Sequence, residues 1–80
     1  MPRYFIDLHD GGDFIKDSEG FELADAAQAH QKLLRIMARI AAEFPPSPDR
    51  QDYLALVRDA RGRTLFRAHL SLEVERLESA

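Results

Sequence analysis

The chain has no cysteine and no tryptophan. Without cysteine, neither a disulfide nor a thiolate zinc site can brace it, and three histidines alone make an odd structural metal set. Glycine is a little sparse and proline no more than ordinary, four of each in 80 residues. Three of the prolines are gathered in PPSP, residues 45–48, so no low-complexity linker divides the chain. No long apolar run is present. The longest helical pattern carries Lys32, Arg35 and Arg39, which excludes it as a membrane span. Asp7 and His9 interrupt the opening MPRYFIDLHD before it reaches the apolar length of a signal peptide. A dense basic block is missing too: the net charge is −3, from 14 acidic and 11 basic residues, unlike the footprint of a general nucleic-acid binder. The expected setting is the cytoplasm, without membrane contact.

What is present is enough for one small domain spanning 1–80. A chain of this size buries only about 60% of its unfolded surface. With disulfides and thiolate metal sites excluded, self-association is the cheapest route to more buried area.

Hydrophobic periodicity supplies the elements. RYFIDLH alternates at period two, setting Tyr4, Ile6 and Leu8 on one face and Phe5, Asp7 and His9 on the other. Gly11-Gly12 suits a two-residue hairpin turn, which places Leu8 opposite Ile15, His9 opposite Phe14 and Asp7 opposite Lys16. DSEG, residues 17–20, is a type I turn pattern. Asp25, with Gln28 three residues on, forms a capping box. It opens a helix whose apolar stripe runs through Ala29, Leu33, Ile36, Met37, Ile40 and Phe44, with His30 at the stripe's edge as a packing residue. Pro45 and Pro46 end it, and PPSPDRQ is expected as a stiff loop. A second hairpin closes on Asp59-Ala60-Arg61-Gly62, with Gly62 in the left-handed position of a three-residue loop. That closure puts Leu56 opposite Phe66 and Leu54 opposite Ala68. The expectation is an α+β domain, hairpin–helix–hairpin, with one antiparallel sheet covered on one face by the helix. Its strands fall at about 3–9, 13–17, 52–59 and 63–74, its helix at about 26–44, and a tail at 75–80. The expected core is Ile6, Leu33, Met37, Ile40, Leu56, Phe66 and Leu70.

A helix covers one sheet face only, so the open face is where function is sought. It is expected to hold Phe5, Phe14, Tyr53, Val57 and Leu65 beside Arg67, His69 and His9. This is more apolar than a solvated face needs to be, and a homodimer interface explains it best. Single-stranded RNA modules also stack bases on sheet aromatics but are normally more basic. The competing occupant of the face is the chain's own C-terminal segment from Glu73 onward. The alternative site is the basic helix face of Lys32, Arg35 and Arg39, which would take phosphates, nucleic acid or an acidic partner, including in a phage- or defence-related inhibitor.

The stretch HDGGDFIKDSEG, residues 9–20, resembles a cation loop in composition only. A calcium loop needs alternating ligands and a glutamate in the twelfth position, whereas Phe14 and Ile15 here are committed to a strand. Asp10 and Asp13 face each other as turn residues, with at most weak cation affinity. His9 and His69 lack a water-excluding pocket, and no nucleophile motif or phosphate loop is present. A metal-dependent or histidine-based enzyme therefore ranks last, and no cofactor or catalytic residue is assigned.

PRYFIDLHDG, the DSEG turn, the RDARGR turn and the LSLEVE ending together resemble a family of short bacterial proteins of unknown function. Its members open on Met-Pro-Arg-Tyr-Phe-Phe-Asp. Ile6 stands here in place of the second phenylalanine, and PPSPDR resembles a variable loop. The resemblance extends from residue 1 to about 77. It implies the same architecture and a bacterial cytoplasmic setting, and it carries no activity, ligand or site residue.

Overall fold

A computed structural model describes residues 2–44 and 50–78. The element order is β1 (Arg3–Asp10), β2 (Asp13–Ile15), β3 (Phe21–Glu22), α1 (Ala26–Ala42), β4 (Arg50–Asp59) and β5 (Thr64–Glu73). All strand pairs are antiparallel and form one sheet in the order β2-β1-β4-β5. The short β3 shares the outer edge of β1 with β2. The architecture is the α+β arrangement expected from the sequence, one helix on one antiparallel sheet.

The first hairpin closes as its sequence dictates. Leu8 faces Ile15, His9 faces Phe14 and Asp10 faces Asp13. Of the two glycines only Gly11 has positive φ, at 58°, as in a type II′ turn. Lys16 lies beyond the ladder, because β2 stops at Ile15. The helix begins as the capping box requires: the Asp25 carboxylate accepts from the Gln28 N–H at 3.0 Å, and the Gln28 side chain accepts from the Ala24 N–H at 2.8 Å. It ends at Ala42, two residues before the expected limit. Residues 45–49 of the expected proline loop lie outside the described residues, and Arg50 and Gln51 already belong to β4.

The second hairpin departs from the unbroken ladder. Its loop is the expected one, with Gly62 at φ 85° and the Gly62 N–H donating to the Asp59 carbonyl. Arg58 faces Thr64, but Val57 then faces Phe66, so Leu65 is an extra residue on β5. This bulge moves the register by one and turns every β4 side chain to the other face. The pairs are Val57 with Phe66, Ala55 with Ala68 and Tyr53 with Leu70. The physical reason lies in Arg58, which shares parity with Leu54 and Leu56. Had those leucines faced the helix, Arg58 would have entered the core with them.

Two expectations are corrected by this shift. Val57 is fully buried in the core and Tyr53 packs against it, so neither belongs to the open face. Leu56 leaves the core for the open face, opposite Arg67. The core consists of Tyr4, Ile6, Ala29, Leu33, Met37, Ala55 and Val57, with Ile40, Phe66 and Leu70 packed at its margin. Helix α1 lies chiefly over β4 and β5, leaving the β1–β2 side of the same face less covered. His30 sits against Phe66, ring centroids 5.3 Å apart.

Candidate functional site: the open sheet face

The open face divides into two regions. At one end β1 and β4 bring Phe5, Asp7 and Arg58 together, since Phe5 faces Arg58 and Asp7 faces Leu56 across the ladder. Asp7 is 3% exposed. Its carboxylate accepts from Arg58 Nε at 2.5 Å and Nη2 at 3.1 Å, and from the Asp17 N–H at 2.9 Å. Arg58 also donates to the Asp17 carbonyl and lies 4.9 Å from the Phe5 ring centroid. Arg58's hydrogen bonds are the main reason the Asp7 carboxyl is held below the ordinary carboxylate value, against the opposing effect of burial.

Asp17 completes this cluster. One of its oxygens accepts from the Glu19 and Gly20 N–H groups, closing the turn. The other accepts from the Ile6 N–H at 3.1 Å, filling the gap on the β1 edge between β2 and β3. Burial pushes the Asp17 carboxyl up, but these N–H groups together bring it below its usual value. Gly20, at φ 77°, fits beneath them; a Cβ there would stand 2.8 Å from Phe5 Cε2 and 2.9 Å from the Tyr4 carbonyl oxygen. Among the described residues no buried side-chain N or O atom lacks a partner. Such a set of bonds holds the sheet and turn together.

The other end of the face is open. His9 stacks on Phe14 at 4.3 Å, and Phe14 is 52% exposed. Leu54 lies between His9 and His69, and Leu56 is opposite Arg67. His69 Nε2 is 3.0 Å from Asp52 Oδ1, and the Asp52 carboxyl is held low chiefly by Arg50, with Ser71 and His69 contributing. His9, Gly11, Asp52, Leu54, Arg67 and His69 line a shallow depression of about 420 Å³, which Tyr53 also borders although its ring packs toward Phe44. Leu65 is 37% exposed. The described part of the C-terminal segment does not cover this region, since Glu73 to Glu78 are all exposed.

Of the residues the sequence places on the open face, the structure keeps Phe5, Phe14, Arg67 and His69 there, with Leu65 at the bulge. It removes Tyr53 and Val57 and adds Leu54, Leu56, Asp52 and Arg58. The parity of Arg58 with Leu54 and Leu56 was the available signal. On the helix, Arg35 and Arg39 are exposed, and Lys32 Nζ sits 4.2 Å above the Phe21 ring centroid. Asp10 and Asp13 form a ladder pair beside the hairpin turn. Among the described residues no three histidine, aspartate or glutamate side chains converge as a metal site, and no helix is long and apolar enough to cross a membrane.

A single-layer antiparallel sheet with one helix and one apolar open face defines a small α+β domain. Residues 3–71 match the family described as Domain of unknown function (DUF6894), and the chain belongs to that family. No curated protein and no solved structure matches it significantly.

Proposed function

We propose that this chain is a non-catalytic interaction module that self-associates through the open sheet face. The observation that carries this reading is the apolar content of the side of the sheet away from α1, where Phe14 is 52% exposed and Leu54 and Leu56 are half-buried, with Leu65, 37% exposed, at the bulge. Apolar surface left uncovered on a sheet face marks a protein-binding site. A second copy supplies a matching surface through a two-fold axis, so each residue of the patch acts twice. A bacterial cytoplasmic setting suits this role.

The site's chemistry supports a non-catalytic role. The His69 side chain is 60% exposed and its partner Asp52 36% exposed. A general base in that position has an orienting partner but no exclusion of water.

Sedimentation equilibrium tests the reading, comparing the wild-type chain with Phe14→Ser plus Leu54→Ser. The expected result is a wild-type dimer and a folded variant whose association is clearly weaker. A wild-type chain that stays monomeric at high micromolar concentration overturns the proposal.

A further inference from the structure

The helix side of the sheet carries a second uncovered surface. Because α1 lies over β4 and β5, a groove remains between the helix and the β1–β2 edge. Leu8 and Ile36 run along it. Ile40 lines one end and Ile15, 60% exposed, the other. Its rim is basic along the helix, where Lys32, Arg35 and Arg39 border one half with Glu43 as the acidic member. Lys16 stands in the other half beside Asp17 and Glu19, and Asp17 is already engaged by three backbone N–H groups.

The complementary surface is on the same chain. LEVERLE, residues 72–78, carries Glu73, Glu75 and Glu78 against the single Arg76. It exposes its apolar residues, Val74 at 59% and Leu77 at 87%. We infer that this acidic, apolar segment of a second copy docks into the basic-rimmed groove between α1 and the β1–β2 edge.

Geometry decides that the segment comes from another copy. Leu8 faces Ala55, while β5 leaves the ladder where Glu73 faces Arg50, five residues further along β4. At about 3.4 Å per residue that is about 17 Å, and β1 lies a further two strand spacings, about 10 Å, across the sheet. The four residues from Glu73 to Leu77 span at most about 14 Å. To meet Leu8 of its own chain the segment would have to double back fully extended past α1, and instead Val74 and Leu77 stay exposed. In a second copy the match is one of charge and of apolar contact together: the glutamates meet Arg35 and Arg39 while Val74 and Leu77 cover Leu8 and Ile36. The groove lies on the opposite side of the sheet from the open face, so this inference stands independently of the sheet-face dimer.

The test is fluorescence anisotropy of a labelled peptide of residues 71–78, SLEVERLE, titrated with the full chain. The wild-type chain should bind it, more weakly as salt rises. Arg35→Glu with Arg39→Glu should weaken binding by about tenfold or more, because like charges would then meet. A peptide with lysine at the three glutamates should reverse the preference, binding that variant better than wild type. Both substituted positions are exposed on the helix, and an unchanged thermal melt confirms that the variant is folded. Phe14→Ser with Leu54→Ser should leave peptide binding unchanged while weakening any sheet-face dimer, which keeps the two surfaces distinguishable. A wild-type chain that ignores the peptide overturns the inference. So does equal binding by the charge-reversed variant, or binding of a short RNA in its place.

Discussion

Arg58 reaches across from β4 to hold Asp7 of β1 in a two-point ion pair, joining residues 51 positions apart in the sequence. The pair does more than bring two strands together. It makes Arg58 an open-face residue, and with it the whole of β4 takes the parity that buries Tyr53, Ala55 and Val57. Asp17, bonded to the same pair through its backbone N–H and carbonyl, ties the 17–20 turn into the arrangement. Breaking the pair from one side leaves a charge buried without its partner, which typically costs about 3–5 kcal/mol. Arg58→Ala should therefore lower the unfolding free energy by about 3 kcal/mol, read from urea titration at neutral pH.

The same carboxylates make stability depend on pH. Asp7 and Asp17 both titrate below their ordinary value in the folded chain, so folding favours their ionised forms. Their contribution is complete above the unfolded carboxylate value of about 3.9 and is lost as pH falls through the lower folded values. Unfolding free energy should be level above about pH 5 and decline below about pH 4. In Asp17→Asn that decline should be shallower, because one of the two linked groups no longer titrates. Urea midpoints at a series of acidic pH values provide the check.

The bulged register separates two neighbouring residues that an unbroken ladder would assign the other way round. Val57→Ala removes two methyl groups from a fully enclosed site and should cost about 2 kcal/mol. Leu56→Ser, on the open face, should cost well under half of that. Equal losses, or a larger loss at Leu56, would mean that β4 presents its other face to the helix.

Gly20 and Gly62 both have positive φ, at 77° and 85°, but their surroundings differ. Nothing lies within 4 Å of a Cβ built at Gly62, whereas at Gly20 the Tyr4 carbonyl and Phe5 ring are already too close. Gly62→Ala should cost only the left-handed backbone penalty, about 1–2 kcal/mol. Gly20→Ala should cost measurably more, since backbone must move as well. Thermal melts of the two variants side by side read the difference.

Leu33 tests whether the helix anchors the sheet. At 3% exposure it sits at the centre of the helix stripe, and Leu33→Ala should cost about 2–5 kcal/mol. In a domain of this size that is a large share of total stability, and the variant should be largely unfolded at 37 °C by circular dichroism.

What the sequence by itself determined is local. Period-two alternation defines β1, Gly11-Gly12 sets the first hairpin's register, and Asp25 with Gln28 starts the helix whose stripe buries Leu33 and Met37. Each of these rests on residues a few positions apart, where steric and hydrogen-bonding rules act without reference to the remainder of the chain. The strand order, the bulge at Leu65 and the Asp7–Arg58–Asp17 cluster were decided by tertiary structure. A ladder admits one extra residue at little local cost, so turn geometry and hydrophobic alternation within YLALVRDARGRTLF do not choose between Leu56 and Val57 as the inward residue, and the parity of Arg58 is the one local sign. The choice follows from where Arg58 finds a carboxylate, and that carboxylate lies on a strand 51 residues away. The groove beside α1 has the same origin: its apolar and basic residues were visible in the helix and first hairpin, but their alignment depends on the helix lying over β4 and β5 rather than centrally on the sheet.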